Sequence, residues 1–271
     1  MNHNGIINFK GDLISELTTQ KAETVAANTY LKTIIGNVIN ETVPTTVRGA
    51  VSQVTDAGLV REAGSDTRAQ ALVQVVIDII SSQNNYEIIG VTSQDIEMRE
   101  FCGYPVLGND SELLNMNKDT SFKLAMGIGG YSSNNKRKEV FDKLKSQGFD
   151  FINVIHPFTS ISKTASLGEG ITIYAGTVIN TKAKIENNVI LALNSSIGHH
   201  THIESHTLIS ASASVGANAI IGEESLVAMG GRIISGVQIG RNVIVGAGAV
   251  VVKSIEPNRK VFGIPAKEKS E

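Results

Sequence analysis

Four of the six histidines crowd into one decapeptide, Ile197-Gly-His-His-Thr-His-Ile-Glu-Ser-His206. Imidazole titrates near neutrality, so such a cluster suits two tasks: taking a proton from an attacking nucleophile, or ligating a metal ion. The one cysteine, Cys102, excludes an internal disulfide framework and a thiolate metal cage. A second candidate lies upstream, where Gly127, Gly129 and Gly130 follow the apolar stretch Phe122 to Met126 and precede a helical pattern from about 135 to 147. Strand, glycines and helix in that order let backbone amides approach a phosphate or a sugar; a tight turn without a ligand fits the same residues equally well.

The histidine cluster sits inside a repeat. Stepping by six from Ile161 gives Ile161, Leu167, Ile173, Ile179, Ile185, Leu191, Ile197, Ile203, Ile209, Val215, Ile221, Val227, Ile233, Ile239, Val245 and Val251, sixteen branched aliphatics without a break. Because Ile, Leu and Val make up 72 of 271 residues, chance gives such a run with a probability on the order of one in a billion. A period of six fits neither an α-helix nor a lone amphipathic strand, but three hexapeptides close into an eighteen-residue coil with three flat sides. The aliphatics then point inward as a ladder rising about 4.8 Å per coil. Gly and Asn are expected at the corners, where positive φ is needed.

Residues 72 to 155 alternate instead: an apolar helix near Leu72 to Ser82, then strands near Tyr86 to Val91 and Phe122 to Met126, which implies an α/β layer. The divisions read from the sequence are an unassigned segment 1–58, an α/β domain 59–156 and the repeat domain 157–271.

The end of the repeat, Val243-Ile-Val-Gly-Ala-Gly-Ala-Val250 followed by Val261-Phe-Gly-Ile-Pro-Ala-Lys267, resembles the closing signature of the hexapeptide-repeat acyltransferases. Upstream, Tyr86-Glu-Ile-Ile-Gly90, Gly103-Tyr-Pro-Val-Leu-Gly108, Met126-Gly-Ile-Gly-Gly130 and Lys136 to His156 resemble one branch of them, the bacterial sugar O- and N-acetyltransferases grouped with the sialic acid and bacillosamine-pathway acetyltransferases. The resemblance covers roughly Leu72 to Lys267. It implies a Rossmann-like amino-terminal domain that holds the sugar, a left-handed parallel β-helix, acetyl-CoA as donor, and a homotrimer with active sites between neighbouring β-helices. It further implies direct acetyl transfer to an amino or hydroxyl group of a nucleotide-linked amino sugar or a sialic acid, in surface-glycan biosynthesis.

Carried over residue by residue, the resemblance makes His199 the general base, since it stands two residues after the inward Ile197. Gly230, Gly246, Ala247, Gly248, Gly263, Pro265 and Lys267 become donor-binding residues, and Gly127, Gly129 and His200 acceptor-binding ones. The chain departs from the branch in three places. His200 replaces the acid that orients or charges the base, leaving Glu204 as the candidate substitute. Leu208 stands where relatives often carry a second histidine. Thr67-Arg-Ala-Gln-Ala-Leu72 replaces the glycine-rich loop of the type Gly-x-Gly-Gly-His, and Gly58-Leu-Val-Arg-Glu-Ala63 makes a poor buried strand. Two other readings therefore stay open: a trimeric β-helix scaffold that has lost catalysis, and a metal enzyme like the γ-type carbonic anhydrases. Spacing opposes the second, because that family pairs histidines five apart, no pair among His199, His200, His202 and His206 is, and two coils before His199 stands Lys163. No metal is expected.

With 24 basic against 26 acidic residues, the chain is close to neutral, which points away from nucleic acid and anionic membranes and toward small molecules. Apolar runs such as Val75 to Ile80 are too short to span a bilayer, and the start MNHNGIINFKGD lacks the pattern of a secretion signal, so a cytoplasmic location is expected. Outward Ile190, Leu193, Leu208, Leu226 and Ile234 would be uncomfortable in water as a set; burial between subunits, or under the amino-terminal domain or tail, would relieve them.

Overall fold

A computed structural model describes residues 47–52, 66–83, 85–93, 99–109, 113, 122–129 and 135–268. The first unit is a parallel three-stranded sheet. β1 (Val47–Ser52) lies between β2 (Tyr86–Thr92) and the strand Phe122–Met126, with α1 (Asp66–Gln83) crossing from β1 to β2. A small antiparallel pair, β3 (Glu100–Phe101) and β4 (Tyr104–Pro105), precedes Phe122–Met126, which is therefore β5. The central strand thus comes from the segment read as unassigned, because Val47–Ser52 pairs with both neighbours. Thr67 to Leu72, set against the family's glycine loop, falls inside α1. Residues 53–65, including Gly58 to Ala63, lie outside the described residues, as do Gly130 and nearly all of segment 1–58.

The second unit is a three-sided prism of two-residue strands joined by four-residue corners. Strands eighteen residues apart pair in parallel, as Val178↔Ser196 and Ser196↔Ser214 do. Its first sheet runs from Ser160–Ile161 to Val250–Val251, its second from Ser166–Leu167 to Gln238–Ile239, and its third from Val154–Ile155 to the carboxy-terminal strands. All sixteen aliphatics of the six-residue frame pack into one core, fourteen fully buried, with Ile161 and Leu167 partly so. Coiling starts one step earlier than expected, since Val154–Ile155 pairs with Thr172–Ile173. It ends with a frame slip, because Val245 pairs with Val261, sixteen residues on, where the Ser254 to Pro257 stretch shortens the last coil.

Positive φ occurs three residues after fourteen of the sixteen inward aliphatics, from Gly170 to Gly248, at Lys182, Asn188, Asn194, His200 and His206 among others. The glycines immediately after the aliphatics serve a different need from the one expected. A Cβ on Gly198 would lie 2.5 Å from the amide nitrogen of Ala217 in the next coil, so its lack of a side chain permits close stacking rather than unusual φ.

The units are joined along one edge. α2 (Asn135–Ser146) lies on the corner between the second and third sheets, where Lys145 meets Glu169, Phe141 meets Gly170 and His206, and Lys138 meets Glu223 and Glu224.

Candidate functional site

His199 and His200 occupy the corner between the first and second sheets, and both are exposed. Their rings stand edge to face at 89°, with the two Nδ1 atoms 3.1 Å apart. The stacking of Gly198 on the next coil fixes the backbone that carries them.

Glu204 does not join this pair. It lies past the strand His202–Ile203, on the next corner, where its Oε2 accepts the Glu223 backbone N–H at 3.0 Å. Five residues carry the chain past one whole side of the prism, so an acid at that spacing cannot orient His199. His202 points outward from the second sheet and pairs with Glu186, Nε2 to Oε1 2.8 Å. Glu186 also accepts from Lys184 and Ser205. Burial raises the Glu186 carboxyl, but Lys184 and His202 outweigh it and bring it down to about 2. This imidazole–carboxylate pair escaped the sequence reading because its members are sixteen residues apart, and only the eighteen-residue coil brings them together.

His206 is buried on the second-to-third corner. Asn188 Nδ2 lies 2.9 Å from its Nδ1, Phe141 meets its ring edge to face, and Asp142 and Glu223 stand 3.6 and 3.9 Å from its Nε2. Burial holds the ring below the usual histidine range, against the opposing pull of Asp142. Leu208 is buried as well, so no polar group replaces the absent second histidine there. Among the described residues no three His, Cys, Asp or Glu side chains are grouped to hold a metal ion.

The expected donor residues gather on the third-to-first corner and at the carboxy-terminal turn, across the first sheet from His199. Gly248 has φ +65 and open space where a Cβ would stand, and Gly230 meets only Gly248 at 4.0 Å, so the two leave a bare strip of backbone beside exposed Ala247. Gly246 has a packing role instead: a Cβ there would collide with the Phe262 ring at 2.2 Å. Gly263, with φ +90, and Pro265, after a cis bond, form the turn that returns the chain to exposed Lys267.

On the expected acceptor side, Gly127 is buried and Gly129 is held against Leu72 of α1. The carbonyls of Met126 and Ile128 accept from Nη1 of Arg137, whose Nη2 donates to the Gly170 carbonyl at 2.9 Å and to Thr172 Oγ1 at 3.2 Å. This guanidinium is fully buried with no carboxylate among its hydrogen-bond partners in the described residues, and burial lowers it to about 9. Arg137 was invisible in Asn-Lys-Arg-Lys-Glu, which reads as a solvated helix start. It fastens the glycine turn to the first coil.

Residues 73–144 match the PglD N-terminal domain family. The whole fold is similar to a histidine-to-asparagine variant of perosamine N-acetyltransferase from Caulobacter crescentus in complex with CoA and GDP-perosamine, at 27% identity and TM-score 0.70 over 82% of this chain and 97% of that one. The acetyltransferase domain of PglB from Neisseria gonorrhoeae in complex with acetyl coenzyme A matches at 25% identity and TM-score 0.69, covering 83% of this chain and all (100%) of that one. The chain is thus similar to hexapeptide-repeat sugar acetyltransferases, a likeness that supports an acyltransferase. The chain has the Rossmann-like domain and the left-handed winding of those proteins, the hand being the feature that spacing alone could not give. WeeI from Acinetobacter baumannii, at 19% identity and TM-score 0.50 over 83% of this chain and 100% of that one, shares the fold alone with this chain.

Proposed function

We propose that the protein transfers the acetyl group of acetyl-CoA directly to the amino group of a nucleotide-linked sugar, with His199 as general base. The supporting observation is the exposed imidazole pair at a corner fixed by close coil stacking, on a fold whose relatives hold CoA and a GDP-linked amino sugar. In the reaction the amine attacks the thioester carbon, His199 takes the amine proton, the C–S bond breaks as the C–N bond stands, and the thiolate leaves to be protonated. Holding both substrates together supplies much of the acceleration, so no covalent enzyme intermediate is required. Within one chain His199 and the Gly230–Gly248 strip lie at opposite edges of the first sheet. A homotrimer that sets one copy's His199 corner against its neighbour's strip completes the site. Exposed Leu193, Met229 and Ile234 beside these edges support that arrangement, whereas Ile190 and Leu208 are already covered within the chain. A cytoplasmic enzyme of this kind would supply acetylated sugars for surface glycans.

The test is release of free thiol from acetyl-CoA with a panel of nucleotide-linked amino sugars and sialic acids, comparing wild type with His199→Ala. Release that needs an acceptor and is lost in the variant supports the reading. A folded protein that binds acetyl-CoA and releases no thiol with any acceptor would leave the scaffold reading in its place.

A further inference from the structure

The base of an acyl transfer must present an unprotonated nitrogen to the incoming nucleophile, so its other nitrogen must carry the hydrogen and have somewhere to donate it. Among the described residues, no carboxylate supplies that acceptor to His199. Glu204 serves the backbone of Glu223 on another corner, and Glu186 serves His202, Lys184 and Ser205. His200 Nδ1, 3.1 Å from His199 Nδ1, is at hydrogen-bonding distance. A bond between two imidazole nitrogens requires that one carry the hydrogen and the other a lone pair.

Resting on the reading of His199 as base, the structure assigns His200 as its positioning residue: the neutral His200 ring accepts the Nδ1–H of His199 and keeps His199 Nε2 bare for the acceptor's proton. His200 therefore acts through His199 rather than on the sugar. Its backbone explains how the ring is aimed. At φ +57 the corner turns the side chain of His200 back across that of its predecessor, edge to face. When His199 takes the substrate proton on Nε2, the bond to His200 persists, since Nδ1 donates in both states. A neutral partner supports the resulting cation by hydrogen bonding alone, without the full charge a carboxylate would add.

The same corner of the next two coils carries Asn218 at φ +56 and Gly236 at φ +75, so Asn and Gly are at home on this backbone and both substitutions preserve the fold. His200→Gly removes the acceptor. It should lower kcat by about 10²-fold with the acceptor KM within about twofold, the split expected when a group shapes the transition state and not binding. His200→Asn, whose amide oxygen can accept the same hydrogen, should recover most of the loss. His200→Asp should also recover it, and its negative charge should move the acid limb of the kcat/KM profile to higher pH. Independently of turnover, ring nitrogen-15 spectra should show His199 as the Nδ1–H tautomer in wild type and mainly as Nε2–H in His200→Gly.

If His200→Gly raises only the acceptor KM, or leaves kcat and the His199 tautomer unchanged, the positioning role is wrong while the base stands. If His199→Gly keeps its activity, the base assignment itself falls, and full loss in His200→Gly beside it would reverse the two roles and overturn the inference.

Discussion

His200 and His206 stand at equivalent places on neighbouring corners, three residues after an inward isoleucine, with φ of 57° and 60°. Everything beyond the backbone differs. The corner of His200 is open, and its nearest partner is another imidazole. The corner of His206 lies under α2, so that ring is enclosed by Phe141, Asn188, Asp142 and Glu223. The repeat thus supplies identical seats, and whatever covers a seat decides whether its occupant is free for chemistry or committed to holding domains together.

The strongest way to break that contrast is to exchange readouts. His199→Ala at the open corner should reduce acceptor-dependent thiol release at least about 10²-fold and leave the melting temperature unchanged, because the ring is exposed. Loss of stability comparable to a core substitution would show that the open corner is structural after all.

At the covered corner the ranking begins with Arg137→Ala. Its guanidinium serves the Met126, Ile128 and Gly170 carbonyls and Thr172, and deletion leaves these acceptors buried beside a cavity. A loss of about 3 kcal/mol in denaturant unfolding is expected; a loss under about 0.5 kcal/mol would show that the clamp does not hold the units together.

The next effect depends on pH. Burial, opposed by Asp142, Glu223 and Glu224 and reinforced by Lys138, keeps the folded His206 below its unfolded value near 6.5. Between the two values the unfolded chain binds more protons, so stability should rise with pH through that window and fall as the solution is acidified below about 6.5. His206→Phe should flatten this limb of the stability profile, and an unaltered slope would remove His206 from the account. A second acid loss belongs to Glu186 and Glu224, whose lowered carboxyls contribute stability above about 4.5 that disappears as pH falls toward their folded values.

The smallest effect is Lys138→Met. Lys138 bridges Glu223 and Glu224 at 2.9 and 2.8 Å but is part-exposed, so about 0.5–1 kcal/mol is expected, shrinking in high salt.

Much of the prism was legible because a six-residue period leaves no freedom: Ile161 through Val251 all enter one core. The histidine corner followed from the same frame. The sheet of the amino-terminal domain was only half legible. Tyr86 to Val91 and Phe122 to Met126 read as strands, but Val47–Ser52, with Arg48 and Gly49 inside it, lacks the apolar run expected of a central parallel strand. Arg137 was unreadable for a different reason. A cation in a run of charges looks solvated, and its burial depends on carbonyls of Met126, Ile128 and Gly170, which sequence does not display. Glu204 was misassigned because nearness along the chain was taken for nearness in space, on a prism that turns a corner every six residues.

The stacked column of left-handed residues Lys182, His200, Asn218 and Gly236 works as a graduated scale. Each notch accepts a charged, aromatic, amide or absent side chain on nearly the same backbone, and the notches are spaced by one coil, about 4.8 Å. A side-chain group on such a scale can be relocated along the prism by exchanging a few corner residues, so its distance from the amino-terminal domain becomes adjustable in fixed increments. Writing the His199-His200 pair onto Ala217 and Asn218 would move it one notch along the prism.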